Sequence, residues 1–353
     1  MSSTQPTSQQ AKPIMIDVES LLNEDTTPST PPSRIPTKNF ISNGNERKTK
    51  PNRPSFHKVQ FPTPAEQPGM CPRHMTIERI PPGAKAQEAS GQTRGGKNHP
   101  LLVFLPDDRV ELHNVTYPWS TVGLLLSVKG VCTGTLVDDD IVLTASHCIP
   151  WREDGSIDRI RFLPAFHGKE SPFGYSDVET VYAFTRNSGR INTVQAAFDV
   201  ACLKLKRKFG PQTGYSGTIK YNPRWSARED WMNVGYPQPD TGIKDGIIPL
   251  FQDSGKILTV EEYSVGSLSS FIMQTTFDLT KGHSGGPVFG WFEGEEFPRV
   301  VAVVSSESGP SPQYPMGRNN LAGGPSLTFM VGYVRALNEQ ANNNNNNNSN
   351  INN

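Results

Sequence analysis

From residue 101 to about residue 337 the chain is built of short apolar runs of four to eight residues, rich in Val, Ile, Leu and Phe and ended by Gly, Pro or Asp. The runs at 122–128, 134–137, 141–145, 157–163, 178–184, 200–205, 247–251, 271–277 and 300–304 have this form. A packed helix needs an apolar stripe sustained over about 10–12 residues, which runs of this length do not hold, whereas short strands between turns need no more. The pattern predicts an all-β domain, a barrel or a sandwich. Helical spacing returns only near 331–338.

The flanks differ in composition. Residues 1–99 are rich in Pro, Ser, Thr, Asn and Lys and carry too little apolar surface to offset the entropy of ordering. They read as a disordered leader or pro-segment, followed by one domain over 100–337 and a disordered asparagine-rich tail over 338–353. Inside the leader, residues 11–23 place Ile14, Ile16, Val18, Leu21 and Leu22 at helical spacing, which suits a short helix or a docking peptide.

Charge and hydropathy narrow the partners. With 34 basic against 34 acidic residues, the chain lacks the positive excess that phosphate backbones attract, so nucleic acid is not expected. No apolar stretch approaches the roughly 20 residues of a membrane-spanning helix, so no membrane partner is expected. The first residues show neither a basic region nor an apolar core, so no ordinary secretory signal is expected. His57, His74, His99, His113 and His167 have no metal-ligand spacing, and neither a metal nor another cofactor is called for. Asn114-Val115-Thr116 is a glycosylation sequon, meaningful only on a secretory route. Of the four cysteines, Cys202 reads as an apolar strand residue and Cys71 lies in the leader.

Three short stretches carry chemistry. In Gly282-His283-Ser284-Gly285-Gly286-Pro287 a serine is crowded by glycines. A nucleophilic serine must meet a carbonyl while backbone N–H groups face the developing oxyanion, and glycine permits that approach. Gly282 and Ser284 would supply those amides; the plainer alternative is a glycine-rich turn. Thr144-Ala145-Ser146-His147-Cys148 follows a strand-like run, putting His147 at a strand end as a candidate base, and Cys132 and Cys148 bracket its hairpin so that a disulfide would brace it. Phe198-Asp199 opens an apolar strand, where a buried carboxylate makes sense if it orients the imidazole; a solvated turn aspartate is the alternative.

The order His147, Asp199, Ser284 along the chain is that of chymotrypsin-like enzymes and differs from subtilisins and α/β-hydrolases. Over about 101–337 the sequence resembles a chymotrypsin-like serine protease, and more narrowly the bacterial glutamyl endopeptidase branch. The resemblance is carried by residues 107–119, 131–135, 144–149, 234–237, 274–278 and 284–289. It implies two packed six-stranded β-barrels with the cleft between them, a triad of His147, Asp199 and Ser284, a Cys132–Cys148 bridge, and a protein or peptide substrate cut through an acyl-enzyme. It also implies a mature chain that begins shortly before Asp107, hence a cut within residues 98–105. The oligomeric state is left open.

Departures from the family pattern matter as well. In trypsin the residue before the nucleophile is an aspartate that pairs with a newly cut N-terminus; here it is His283. The glutamyl branch selects acidic side chains with a threonine and a histidine whose positions fall on Leu279 and Val304, so acidic selectivity is not expected. Asp278 is a candidate pocket base favouring Arg or Lys, and Ser305, Ser306 and Glu307 are further pocket candidates beside the strand that would pair with substrate backbone. A competing reading is a binding or scaffold protein that keeps the fold and has lost turnover. The expected disulfide points to an oxidising, extracellular setting, while the missing signal points to the cytoplasm or unconventional export.

Overall fold

The computed structural model describes residues 14–15, 37–39, 66–79, 101–104, 106–187, 189, 191–239, 246–310, 312, 315 and 317–351. The first barrel consists of β1 (Val122–Ser127), β2 (Gly130–Asp138), β3 (Ile141–Thr144), β4 (Ile160–Pro164), β5 (Ser176–Ala183) and β6 (Ala201–Leu205). These pair antiparallel in the order β6-β3-β2-β1-β4-β5, and β5 pairs back onto β6, closing the ring. Closure leaves no free edge within the ring, which suits strands this apolar.

Burial on both faces explains why β1, β3 and β4 read as continuous runs, whereas β5 alternates and leaves Glu179 exposed. Leu125, Val142, Phe162, Val181 and Leu203 point into the barrel with Phe209. Their neighbours Leu124, Leu126, Leu143, Leu163 and Cys202 point outward into a second cluster shared with the other barrel and the terminal helix. Gly123 is required where β1 crosses Phe162, because a Cβ there would lie 2.6 Å from the ring.

The second sheet holds β7 (Trp231–Gly235), β8 (Leu250–Gly255), β9 (Ile257–Val265), β10 (Leu268–Thr275), β11 (Pro287–Gly290), β12 (Arg299–Ser308) and β13 (Arg318–Gly323). The pairing path runs β9-β10-β13-β12-β11-β7-β8. The path continues past β8 to the short strand Val110–Glu111, Gly217–Thr218 pairs with β12, and only Lys256 separates β8 from β9, so these two are one bent stretch that brings the large sheet round on itself. At the bend Ser254 takes a φ of 57°, and a Cβ on Gly255 would lie 2.2 Å from Phe277. The two-barrel architecture implied by the resemblance is therefore present.

Helix α1 (Thr193–Ala197) precedes β6, α2 (Gly210–Thr213) opens the link between barrels, and α3 (Pro325–Ile351) closes the chain. Leu327, Met330, Val331 and Val334 bury one face of α3 in the shared cluster, against β10 of one barrel and β6 of the other. The helix is longer than the 331–338 expected, and its backbone runs through the asparagine-rich stretch read as a structureless tail. The buried first turns nucleate it, and each further residue then adds one hydrogen bond, which carries the helix into a sequence of weak helix formers. Among the described residues no helix is long and apolar enough to cross a membrane.

Parts of the region read as a leader are described. Ile14–Met15 pairs with Glu170–Ser171, and Thr37–Asn39 runs parallel to β5. Residues 66–79 form a strap over the inter-barrel link: Gln67 exchanges backbone bonds with Thr218, and Met70 with Tyr215. Arg299 Nη1 donates to the Gln67 carbonyl (2.7 Å) and Arg335 Nη1 to Gln67 Oε1 (2.9 Å), fixing the strap to β12 and α3. The rest of 1–99, including most of the 11–23 island and the stretch ending at residue 100, lies outside the described residues.

Phe162 is fully buried with its ring centroid 6.2 Å from that of Phe209. Phe162→Ala leaves a cavity in the first barrel and is expected to cost about 3–5 kcal/mol. The check is a denaturant melt with a lowered midpoint and an unchanged slope.

Candidate active site

His147 sits in a 3-10 turn, Ser146–Cys148, directly after β3. Two fastenings hold that turn: the Trp151 indole donates to the Ser146 carbonyl (3.0 Å), and Cys148 is bonded to Cys132 of β2 with Cα atoms 6.0 Å apart. Asp199 follows α1, whose start is a capping box between Asn192 and Gln195. The Asp199 carboxylate is wholly buried and accepts four hydrogen bonds. Its Oδ1 takes the His147 backbone N–H (2.9 Å) and Asn187 Nδ2 (2.8 Å); its Oδ2 takes His147 Nδ1 (2.6 Å) and the Ser305 hydroxyl (2.7 Å). Burial pushes this carboxyl up, yet the His147 imidazole and the donors from His147, Asn187 and Ser305 outweigh it and hold it below the usual carboxylate range.

The loop over 278–286 carries Ser284. Thr133 of β2 reaches across from the first barrel: its N–H donates to the Ser284 carbonyl (2.9 Å) and its hydroxyl to the Gly282 carbonyl (2.8 Å). Gly282 adopts φ 100°, and a Cβ there would lie 2.1 Å from the Tyr236 carbonyl; Gly285 adopts φ 78° with Thr144 Oγ1 equally close. Backbone conformation and space both demand glycine at these two positions. The amides of His283, Gly285 and Gly286 donate to the carbonyls of Thr280, Val304 and His283. The intervening amides of Gly282 and Ser284 have no acceptor among the described residues.

His283 turns inward and is completely buried against Gly235, whose Cβ would meet the imidazole at 2.3 Å. Burial, reinforced by the nearby Arg109, holds its imidazole neutral, well below the usual histidine range. Its Nδ1 lies 3.2 Å from the Thr280 hydroxyl.

His147 and Ser284 line one cleft of about 470 Å³, together with Gly282, Ser305, Ser306 and Leu101. Glu307 lines it too, with burial raising its carboxyl. Of the pocket residues expected from the sequence, Ser305 and Ser306 are in the cleft, while Leu279 and Val304 are fully buried in the core of the second barrel. Asp278 does not line the cleft either: Oδ1 accepts the Phe104 N–H (2.5 Å), and its own N–H donates to Gln252 Oε1 (2.7 Å). It is engaged with the incoming chain. Asn187, Thr133 and Leu101 were not anticipated at the site; Thr133 stood beside Cys132 in a quoted motif, whereas Asn187 carries no local signal. Among the described residues no group of three His, Cys, Asp or Glu side chains is arranged to hold a metal ion.

Burial, with Asp108 and Asp107 nearby, pushes the Asp278 carboxyl up to about 7. A carboxyl raised in the folded state contributes stability at low pH that is lost as pH rises toward 7. Asp278→Asn keeps the acceptor for Phe104 and removes the charge. It is expected to melt higher than wild type at pH 8 and to flatten the fall in melting temperature between pH 4 and 7. Separately, the bridge closes a loop of separation 16, so replacing both cysteines by alanine should cost about 2–4 kcal/mol in a melt under non-reducing conditions.

A family model described as Trypsin matches residues 110–318. The chain is 28% identical over 185 residues to the glutamyl endopeptidase of Bacillus licheniformis, covering 52% of this chain and 53% of that protein. It is 24% identical over 210 residues to a Bacillus subtilis protein named extracellular metalloprotease, covering 56% and 62%. The chain thus spans 53% and 62% of the length of these curated relatives. Among solved structures, a Glu endopeptidase in complex with MPD aligns at TM-score 0.49 and 16% identity, over 65% of this chain and 96% of that one. The thermostable serine protease AL20 from an extremophilic microorganism aligns at 0.43 and 19%, over 61% and 97%. With its family model matching more than half of its length, the chain belongs to the trypsin family of serine proteases and is similar to the glutamyl endopeptidase branch.

Proposed function

We propose that the protein is a serine endopeptidase that cuts protein or peptide substrates with Ser284, His147 and Asp199. The observation that carries this reading is the 2.6 Å bond from His147 Nδ1 to buried Asp199, in the same cleft as Ser284. That bond fixes the tautomer: with the Nδ1 proton given to Asp199, Nε2 is the free base. Ser284 Oγ attacks the scissile carbonyl carbon as its proton passes to His147 Nε2. The carbonyl oxygen becomes an oxyanion, received by the amides of Gly282 and Ser284. Collapse breaks the C–N bond, the leaving amine takes the proton from His147, and an acyl-Ser284 remains. Water, deprotonated by the same imidazole, releases the acid.

Asp199 stays ionised throughout, since the donors around it favour the charged form. An inactive scaffold would not need a buried carboxylate aimed at this imidazole, and no observation favours that alternative. The side chains that would read an acidic residue are replaced by Leu279 and Val304, so selectivity for glutamate is not part of the proposal. Leader removal is part of it, with the cut N-terminal to Leu101, because Leu102 and Phe104 are bonded into the body of the second barrel.

The test is active-site labelling with a fluorophosphonate. Wild type is expected to label and Ser284→Ala to show none; equal labelling of the two would sink the assignment. Asp199→Asn should lower kcat by about 10⁴-fold, by favouring the wrong tautomer of His147.

A further inference from the structure

Three consecutive residues of the Ser284 loop are each bonded to one incoming stretch of chain, residues 101–109. Asp278 Oδ1 accepts the Phe104 N–H (2.5 Å), the Leu279 N–H donates to the Leu102 carbonyl (2.9 Å), and Thr280 Oγ1 accepts from Arg109 Nη1 (3.1 Å). The stretch is itself anchored. Asn319 of β13 accepts from the Leu102 N–H (2.8 Å) and donates to its carbonyl (2.6 Å). Arg109, nearly buried, is clasped by Asp107 through Nε (2.9 Å) and Nη2 (2.7 Å).

The hydrogen-bond roles follow from the donor inventory. Arg109 can only donate, so the Thr280 oxygen accepts from it, and the Thr280 backbone N–H points at His283 Nδ1 (3.4 Å), so that this nitrogen also takes the Thr280 hydroxyl proton, 3.2 Å away. His283 Nδ1 is then an acceptor and the proton of this neutral imidazole sits on Nε2. The His283 main chain is held on both sides: its N–H donates to the Thr280 carbonyl (3.0 Å), and its carbonyl accepts from Gly286 N–H (2.8 Å). The residues on either side of it, Gly282 and Ser284, supply the two amides assigned above to the oxyanion.

We propose that Arg109 and Thr280 are positioning residues for the oxyanion site, acting through His283 in the relay Asp107–Arg109–Thr280–His283. In this relay side chains of the intact chain do what a newly cut N-terminus and an aspartate do in trypsin. The loop is consequently formed in the intact chain, before any cleavage of the leader. The inference rests on the reading of Ser284 as nucleophile.

The experiment measures fluorophosphonate inactivation of the full chain, separating the limiting rate from the half-saturating probe concentration, alongside the melting temperature of each variant. Thr280→Val keeps the shape and removes the hydroxyl; its limiting rate is expected to fall about ten- to a hundred-fold, as a misplaced oxyanion donor does, with half-saturation and melting temperature near wild type. Thr280→Ser should restore the rate, and Arg109→Met should lose it as Thr280→Val does. A Thr280→Val rate equal to wild type, an equal loss in the serine and valine variants, or a loss that tracks a lowered melting temperature each overturns the relay. Wild-type protein that labels no better than Ser284→Ala overturns the nucleophile assignment and the relay with it.

Discussion

A wholly buried carboxylate is the constraint around which this molecule is arranged. An unpaired charge at the position of Asp199 would be several kcal/mol too costly to keep ionised, so its oxygens must be met from every side. The donors come from separate pieces of chain: His147 from the turn after β3, Asn187 from the loop after β5, and Ser305 from β12 of the other barrel. No local segment could supply this set. The carboxylate therefore couples the folding of the two barrels to the geometry of the imidazole, and it explains why residues 158 positions apart, His147 and Ser305, converge on one atom, Oδ2.

A second junction lies on the other side of the cleft. The Ser284 loop has almost no regular structure of its own and is held instead by what it touches. Thr133 fixes two of its carbonyls from the first barrel, Tyr236 and Thr144 leave room only for glycine at 282 and 285, and the 101–109 stretch fixes 278–280 from outside. The amides that remain without acceptors are left so by the consumption of their neighbours. Under the proposed mechanism, donors fixed in this way would not have to reorient as charge develops, which is where most of an oxyanion site's rate advantage arises. The buried His283 fits that logic, since a neutral ring needs no counter-ion. The close fit of Gly235 under the ring shows how little slack the loop has.

How far the sequence could be read follows from where each signal resides. Most strands of the first barrel were legible because both faces are buried, so their residues are apolar in runs, and β5 was legible by alternation. In the second barrel β7, β9, β11 and β13 lie outside the runs read from the sequence. The β9 sequence, Ile257–Val265, is half solvated and carries Glu261 and Glu262, and β13 opens with Arg318, which lies over the Phe104 ring, followed by Asn319 and Asn320, whose amides find partners only in the folded protein. The candidate triad was legible because glycine crowding, a strand end and a cysteine bracket are all local. The surroundings of Asp278 and Leu279 are set by Leu102 and Phe104, more than 170 positions earlier. Spacing along the chain carries no information about such a partner.

The same reasoning separates what is fixed from what is free in the cleft. Leu279 and Val304 are core residues, so changes there act on stability before they act on recognition. Ser306 and Glu307 lie past the bulge that interrupts the β12–β13 register between Val304 and Ser306, where the strand turns its side chains toward the cleft. A bulge at this point lets β12 serve both barrels at once: the Ser305 hydroxyl goes to Asp199, while its successors face the cleft. Ser306 and Glu307 thus border the cleft without being packed into the core, whereas Leu101 borders it from within the core cluster of the second barrel.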